Sequence, residues 1–232
     1  MMESIALIPA RGGSRRIPRK NVRPFLGVPA IQRTIATVRT SGVANRIIVS
    51  TDDDEISALS RHAGADVPGP RPTALAGDYA TTIEVVRHAV AEWLEESNRD
   101  AVLWVVYPAA LLLRPDDLKE AWARFRDAGP SFLVPVIRYP HPVERRLRIG
   151  PDGVLRADHP DALAARTQDL EPAFHDSGQF YVGRIASWLA SSPIADSRSL
   201  GMELSADRAV DIDEPVDWER AERLAWLAAD LT

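Results

Sequence analysis

The chain has 232 residues and a formal net charge of −5, from 28 basic and 33 acidic side chains. That length buries a full core without staples, and the absence of cysteine excludes a disulfide framework, a thiolate metal site and a cysteine nucleophile. The acidic balance argues against a nucleic-acid partner, whose footprint is a basic face, and the opening apolar run of seven residues is too short for a signal peptide or a membrane span, so a cytoplasmic protein is expected.

Apolar runs alternate with amphipathic stretches along the chain. A buried strand is predicted at 5–10 (IALIPA). A helix follows at 29–42, with Pro29 suited to its first turn and Gly42 just past its end. Residues 46–51 (RIIVST) read as a second strand, 53–64 as a helix closed by Gly64, and 65–67 as a short third strand. Ile83, Val86, Ala89, Val90, Trp93 and Leu94 follow the helical period and predict a helix over 81–96. A fully apolar strand at 101–108, a helix at 115–129 and a strand at 131–137 continue the alternation. From 139 to 175 the pattern breaks around a GPDG turn, which reads as an insertion carrying a hairpin. Residues 173–183 and 208–213 return to strand-like sequence, and 214–230 closes the chain as a helix. The alternation implies right-handed crossovers and a mainly parallel sheet with helices on both faces, a three-layer α/β/α, Rossmann-like domain over 1–232.

Two stretches carry chemistry. The first is PARGGSRRIPRKN (9–21), which places Arg11, Arg15, Arg16, Arg19 and Lys20 around a Gly-Gly pair straight after the first strand. Ligands of open α/β sheets sit at the carboxyl ends of strands, and glycine-rich backbone offers N–H groups to anions. A triphosphate suits such a cradle. The loop matches neither the P-loop nor the dinucleotide fingerprint. Only Lys20 and Lys119 are lysines among the 28 basic residues, so position 20 reads as wanting a compact point charge.

The second is DID, Asp211 and Asp213. On a strand their spacing puts both carboxylates on one face, a donor set that suits Mg²⁺. Asp213 or Glu214 is equally placed to cap the last helix ahead of Pro215, which makes Asp211 the firmer ligand. Thr81-x-x-Glu84 likewise has the spacing of a capping box. His62, His88, His141 and His159 show no metal-ligand spacing.

With these residues in view, IPARGGSRRIPRKN (8–21) resembles the signature of the cytidylyltransferases that activate nonulosonic and related acid sugars. IIVSTDDDEI (47–56), GADVPGPRPTALAGDYATTIEVV (64–86), RTQDLEPAFHDSGQFYVGR (166–184) and DIDEPVDWERAE (211–222) fit in order, so the resemblance spans nearly the whole chain. RRIPRKN, RTQDLE and FHDSGQFY resemble the pseudaminic acid branch more than the sialic acid branch.

The resemblance implies a nucleotide-diphospho-sugar-transferase-like fold and synthesis of CMP-sugar and pyrophosphate from CTP and a nine-carbon acid sugar, with Mg²⁺. It implies a homodimer whose arm is the stretch 139–175. It assigns Arg11, Lys20 and Asp211 to catalysis, and the nucleotide to Ala10, Arg11, Gly12, Gly13, Ser14, Lys20, Asn21, Arg71 and Thr81, with Thr82 matched beside Thr81. Tyr107, His175, Asp176, Gln179 and Tyr181 fall at the sugar, and Asp211 and Asp213 at the metal. One departure stands out: AALLLRP (109–115) has Ala109 and Ala110 where the family carries a hydroxyl, and Leu111 where it carries proline. Two alternatives stay open, another acid sugar (legionaminic, N-acetylneuraminic or Kdo) and a catalytically impaired nucleotide-binding protein.

Overall fold

The computed structural model describes residues 3–94, 99–190 and 193–229. Strand β1 (Ser4–Pro9) is followed by a tiny hairpin, β2 (Pro24–Phe25) and β3 (Val28–Pro29), and by α1 (Ala30–Ser41). Then come β4 (Arg46–Ser50), α2 (Asp54–His62), α3 (Thr82–Trp93), β5 (Val102–Val106), α4 (Pro115–Ala128) and β6 (Phe132–Arg138). The stretch after β6 holds the hairpin β7 (Leu147–Ile149) and β8 (Leu155–Ala157) and the short α5 (Pro160–Ala164). The chain then returns as β9 (Phe174–Asp176), β10 (Phe180–Arg184), α6 (Ile185–Leu189), β11 (Leu200–Glu203) and α7 (Pro215–Ala229).

The main sheet has the order β11-β6-β10-β5-β1-β4, with β9 also paired to β6. Strands β11, β6, β5, β1 and β4 share one direction, and β10 and β9 run against it. Because Phe180 at the start of β10 faces Val106 at the end of β5, the β9–β10 connection emerges on the same edge as the loops after β1, β4 and β5. The sheet thus collects these four loops at one rim.

Period-two burial explains the three layers. Ala6, Ile8, Val49 and Trp104 face α1, α2 and α4, whose Ile35, Ile56 and Leu118 complete that core. Ile5, Leu7, Ile48 and Leu103 face the other way, onto Val86 and Ala89 of α3 and Trp188 of α6. Both faces of β1 are buried, as an internal parallel strand requires. A third cluster lies beyond the rim. There Trp218 and Ala221 of α7 pack with Ile17, Phe25, Leu111, Val210 and Ile212. Phe25 meets Trp218 edge-on at 5.7 Å.

Two expected strands do not form. Residues 65–67 contribute only an isolated parallel bridge, Ile48 with Asp66, beside β4. Residues 208–213 join no ladder; Val210 and Ile212 are buried by the third cluster, so their alternation reflects packing. Leu200–Glu203, whose glycine masks any strand pattern, takes the sheet edge as β11 instead. Pro29 is the N-cap residue of α1 and precedes its first turn. Residues 95–96 of the helix expected at 81–96, and residue 230 of the closing helix, lie outside the described residues.

The third cluster should be part of the cooperative core. Trp218→Ala is expected to cost about 3–5 kcal/mol in urea unfolding, as large-to-small changes of buried aromatics do; a loss under about 1 kcal/mol would contradict that.

Candidate active site

The rim loops enclose a cleft of about 730 Å³. The basic loop supplies one wall. Its Gly12 amide donates to Asp52 Oδ1 at 2.9 Å, and a Cβ at Gly12 would lie 2.7 Å from Asp53 Oδ2, so only glycine lets the loop lie this close to the start of α2. Arg11 and Arg15 pair with Asp78 at 2.8 and 2.9 Å. Arg16 pairs with Asp213 at 2.7 Å. Lys20 Nζ donates to the Ile212 carbonyl at 2.5 Å and lies 3.9 Å from Asp213 Oδ1. Burial pushes the Lys20 ammonium below its ordinary range, with Asp213 and Asp211 opposing.

The adjoining wall carries the carboxylates. Burial, then the charge of Asp213, raises Asp211 above the ordinary aspartate value, against the pull of Lys20. Asp213 does not cap α7. Instead Asp217, in the first turn of α7, accepts from the Asp213 and Glu214 amides through Oδ2 at 3.1 and 2.8 Å, and the Asp213 carboxylate lines the cleft. Two oxygen donors in mutual repulsion suit Mg²⁺, which is commonly held by one or two carboxylates plus phosphates and water. Among the described residues no group of three or more His, Cys, Asp or Glu is arranged to hold a metal unaided.

Between these walls, Arg71 is buried and held by β4: Nε donates to Ser50 Oγ at 3.0 Å and Nη2 to the Ser50 carbonyl. Burial lowers its pKa to about 10. Tyr107 and Thr82 share a hydrogen bond of 2.8 Å. Tyr181 packs edge-on against Tyr107 at 5.8 Å and donates to Asp176 Oδ2. Burial raises both phenols, so each stays a protonated donor. Asn21 donates from Nδ2 to the Arg11 carbonyl at 2.9 Å, while its buried Oδ1 has no hydrogen-bond partner among the described residues.

The cleft therefore brings together Arg11, Ser14, Lys20, Asn21, Arg71, Tyr107, Asp176, Tyr181, Asp211 and Asp213. Other expected residues stand elsewhere. Arg19, at φ +57°, pairs with Asp53 and Glu55 and does not line the cleft. Thr81 is spent on the capping box of α3, with Oγ1 to Glu84 at 2.8 Å, and the hydroxyl facing the cleft is that of Thr82. His175, the middle residue of β9, packs on Tyr139 at 4.9 Å and does not line the cleft. Gln179 is 1% exposed, with Nε2 donating to the Ser177 and Val210 carbonyls, so its amide is turned inward. Ala10 is wholly buried, and Gly12 and Gly13 border the cleft without lining it. Asp78 and Gly178 line the cleft and escaped the sequence reading. A lone aspartate in a Pro/Gly-rich loop carries no signal until the fold sets it against two arginines.

A family model described as cytidylyltransferase matches residues 5–230. The chain belongs to the cytidylyltransferase family. It is 35% identical over 225 residues to the pseudaminic acid cytidylyltransferase of Campylobacter jejuni, covering 96% of each chain. It is 28% identical over 233 residues to the CMP-N,N'-diacetyllegionaminic acid synthase of Legionella pneumophila, again covering 96% of each. A solved CMP:2-keto-3-deoxy-manno-octonic acid synthetase complexed with CTP shares the fold with a TM-score of 0.68 at 16% identity, over 97% of this chain and 99% of that one. This cytidylyltransferase is thus a CTP-dependent nucleotidyltransferase, and its fold is of the expected Rossmann-like class. No helix of the described residues is long and apolar enough to cross a membrane.

The raised pKa of Asp211 gives a signed prediction. The fold favours its protonated form, so that stabilisation is complete below the ordinary value of 3.8 and is lost as pH rises through the folded value. Asp211→Asn, neutral throughout, is expected to melt higher than the parent in chelator near neutral pH, the gap closing as pH falls toward about 4. Thermal melts across that range check it, and a lower midpoint at neutral pH would refute it.

Proposed function

We propose that this cytidylyltransferase joins CMP from CTP to the anomeric hydroxyl of a nine-carbon acid sugar, pseudaminic acid, and releases pyrophosphate. The observation that carries the sugar assignment is the 35% identity to pseudaminic acid cytidylyltransferase over 96% of both chains. The hydroxyl oxygen bonds to the α-phosphorus as the bond to the bridging oxygen of the β-phosphate breaks; the electron pair leaves with pyrophosphate, and the hydroxyl proton is given up to water. Such a transfer asks the protein for position and for neutralisation of phosphate oxygens. Arg11, Arg15, Arg16 and Lys20 are among the cations that line the cleft and would serve that purpose. Arg71, fixed on Ser50, is a rigid donor for the base. Asp211 and Asp213 would hold Mg²⁺, which supplies further positive charge to the triphosphate when bound. In this reading the enzyme works in the cytoplasm, where CTP is made.

The departure at 109–111 does not favour an impaired enzyme. Ala110 and Leu111 are buried, and Leu111 fills the third cluster against Ile17 and Ile212. Only Ala109 of the three borders the cleft, which bears on sugar choice.

The test is pyrophosphate release from CTP and Mg²⁺ with pseudaminic, legionaminic, N-acetylneuraminic and Kdo acids. Pseudaminic acid should give the highest kcat/KM, by about tenfold or more. Release with none of them by folded protein would reject the reading. Asp211→Ala should lower kcat by about 100-fold or more while CTP affinity changes far less; unchanged kcat would remove Asp211 from the reaction.

The proposal extends to a homodimer through 139–175. Ile149, 76% exposed, and Leu155 face each other across the hairpin and leave an apolar surface. Light scattering should give the mass of two chains, and Ile149→Asp with Leu155→Asp should give one. A double variant that stays dimeric would exclude this surface.

A further inference from the structure

Asp211 lies in a segment that joins no ladder, so contacts other than sheet pairing must hold its carboxylate. Across β6, Val182 faces Leu133 and Asp176 faces Val136. Strands β9 and β10 are therefore one interrupted strand, which spends three residues more than its partner over this interval. The excess bulges out around Ser177–Gln179, and bulges re-aim side chains beside active sites. This one is pinned at three points. The Gly178 amide donates to Asp176 Oδ1 at 2.9 Å. The Ser177 amide donates to the Pro135 carbonyl, and the Tyr107 amide to the Gln179 carbonyl, each at 3.0 Å.

Two contacts run from the bulge to Asp211. Gly178 has φ +66°, and a Cβ there would lie 3.0 Å from Asp211 Cγ and 3.1 and 3.2 Å from its two oxygens. The near-equal distances set the carboxylate broadside over the glycine. The positive φ strains any side chain there, and a Cβ would press on the Asp211 carboxylate, which would have to shift. Gln179 Nε2 donates to the Val210 carbonyl at 3.2 Å, on one side of Asp211, and Lys20 Nζ donates to the Ile212 carbonyl at 2.5 Å, on the other.

We infer that the Ser177–Gln179 bulge is the positioning element for Asp211. Gly178 is the surface on which its carboxylate is oriented, and Gln179 is the tether that fixes its backbone. Gln179 therefore acts through Asp211 and makes no contact with the sugar. This rests on the reading above that Asp211 holds Mg²⁺. Groups that orient a metal-holding side chain typically change metal affinity by about 10–100-fold when removed.

Gln179→Met keeps the volume and removes the donor; Gly178→Ala adds a Cβ against the Asp211 carboxylate. Mn²⁺ binding to each variant with CTP present is followed by the electron paramagnetic resonance signal of free Mn²⁺, beside initial rates against Mg²⁺ and against acid sugar. Both variants are expected to bind Mn²⁺ about tenfold or more weakly and to need correspondingly more Mg²⁺, with sugar KM within about twofold of the parent. If Gly178→Ala does not fold, Gln179→Met decides alone. A raised sugar KM with unchanged Mn²⁺ binding would make Gln179 a sugar ligand and overturn the inference. So would unchanged behaviour in both titrations, or a loss of CTP binding and melting temperature in proportion to the loss of Mn²⁺. Asp211→Asn separates the two levels. If it too leaves Mn²⁺ binding unchanged, the metal reading fails and takes this inference with it. If it abolishes binding that Gln179→Met retains, the positioning inference alone fails.

Discussion

The contact between Lys20 and the backbone of Ile212 is the constraint on which the site depends. It joins residues 192 apart in sequence, one in the first loop and one next to the last helix. Neither partner belongs to the sheet. The ammonium at 2.5 Å from a carbonyl and 3.9 Å from a carboxylate ties the cationic half of the cleft to the anionic half. Arg16 repeats the link at 2.7 Å to Asp213. Being half exposed, that ion pair is worth little by itself in water. The Lys20 bond is better sheltered, and a charged donor on a carbonyl is stronger than a neutral one.

Such a link needs both loops to arrive at one place, and the third apolar cluster sees to that. Ile17 comes from the basic loop, Ile212 from the acidic segment, Leu111 from the loop after β5, and Trp218 from α7. Burying these four together removes apolar surface from four different stretches at about 25 cal/mol per Å². Hydrophobic packing therefore carries the long-range assembly, and the charges above it are left to set chemistry. The departure at Leu111 makes sense in these terms. A leucine there strengthens the floor of the site without adding a polar group to its wall.

Much of this was legible in the sequence, and the failures share a cause. The parallel alternation, the capping box at Thr81 and the basic loop after β1 all rest on local periodicity or on neighbours three or four residues apart. So does the closing helix, which begins at Pro215. What could not be read depends on pairs distant in sequence. The DID segment alternates as a strand does, yet its partners are Ile17 and Trp218, not a neighbouring strand. Arg19 looks identical to Arg16 in a string of cations, but its backbone at φ +57° sends it to α2. Gln179 reads as a polar residue on a sugar-facing strand because nothing local announces a bulge of three residues. One extra residue exchanges the two faces of a strand, and three do the same.

The lysine that the composition singled out now has a structural reason. Lys119, the only other one, sits on α4 in an exposed pair with Asp116. Lys20 must meet a carbonyl, stand near two carboxylates and border the space where phosphates would lie, all from one partly buried atom. An ammonium can direct its three donors to three partners around a single point, whereas a guanidinium spreads five donors over a plane. Arginine at 20 would need room where Ile212 and Asp213 already stand. Burial makes that compact charge costly, as the depressed pKa of Lys20 records, and nearby aspartates return part of the cost. The balance leaves Lys20 a cation whose burial its own neighbours only partly offset. That is the condition under which an incoming polyanion gains most from binding beside it.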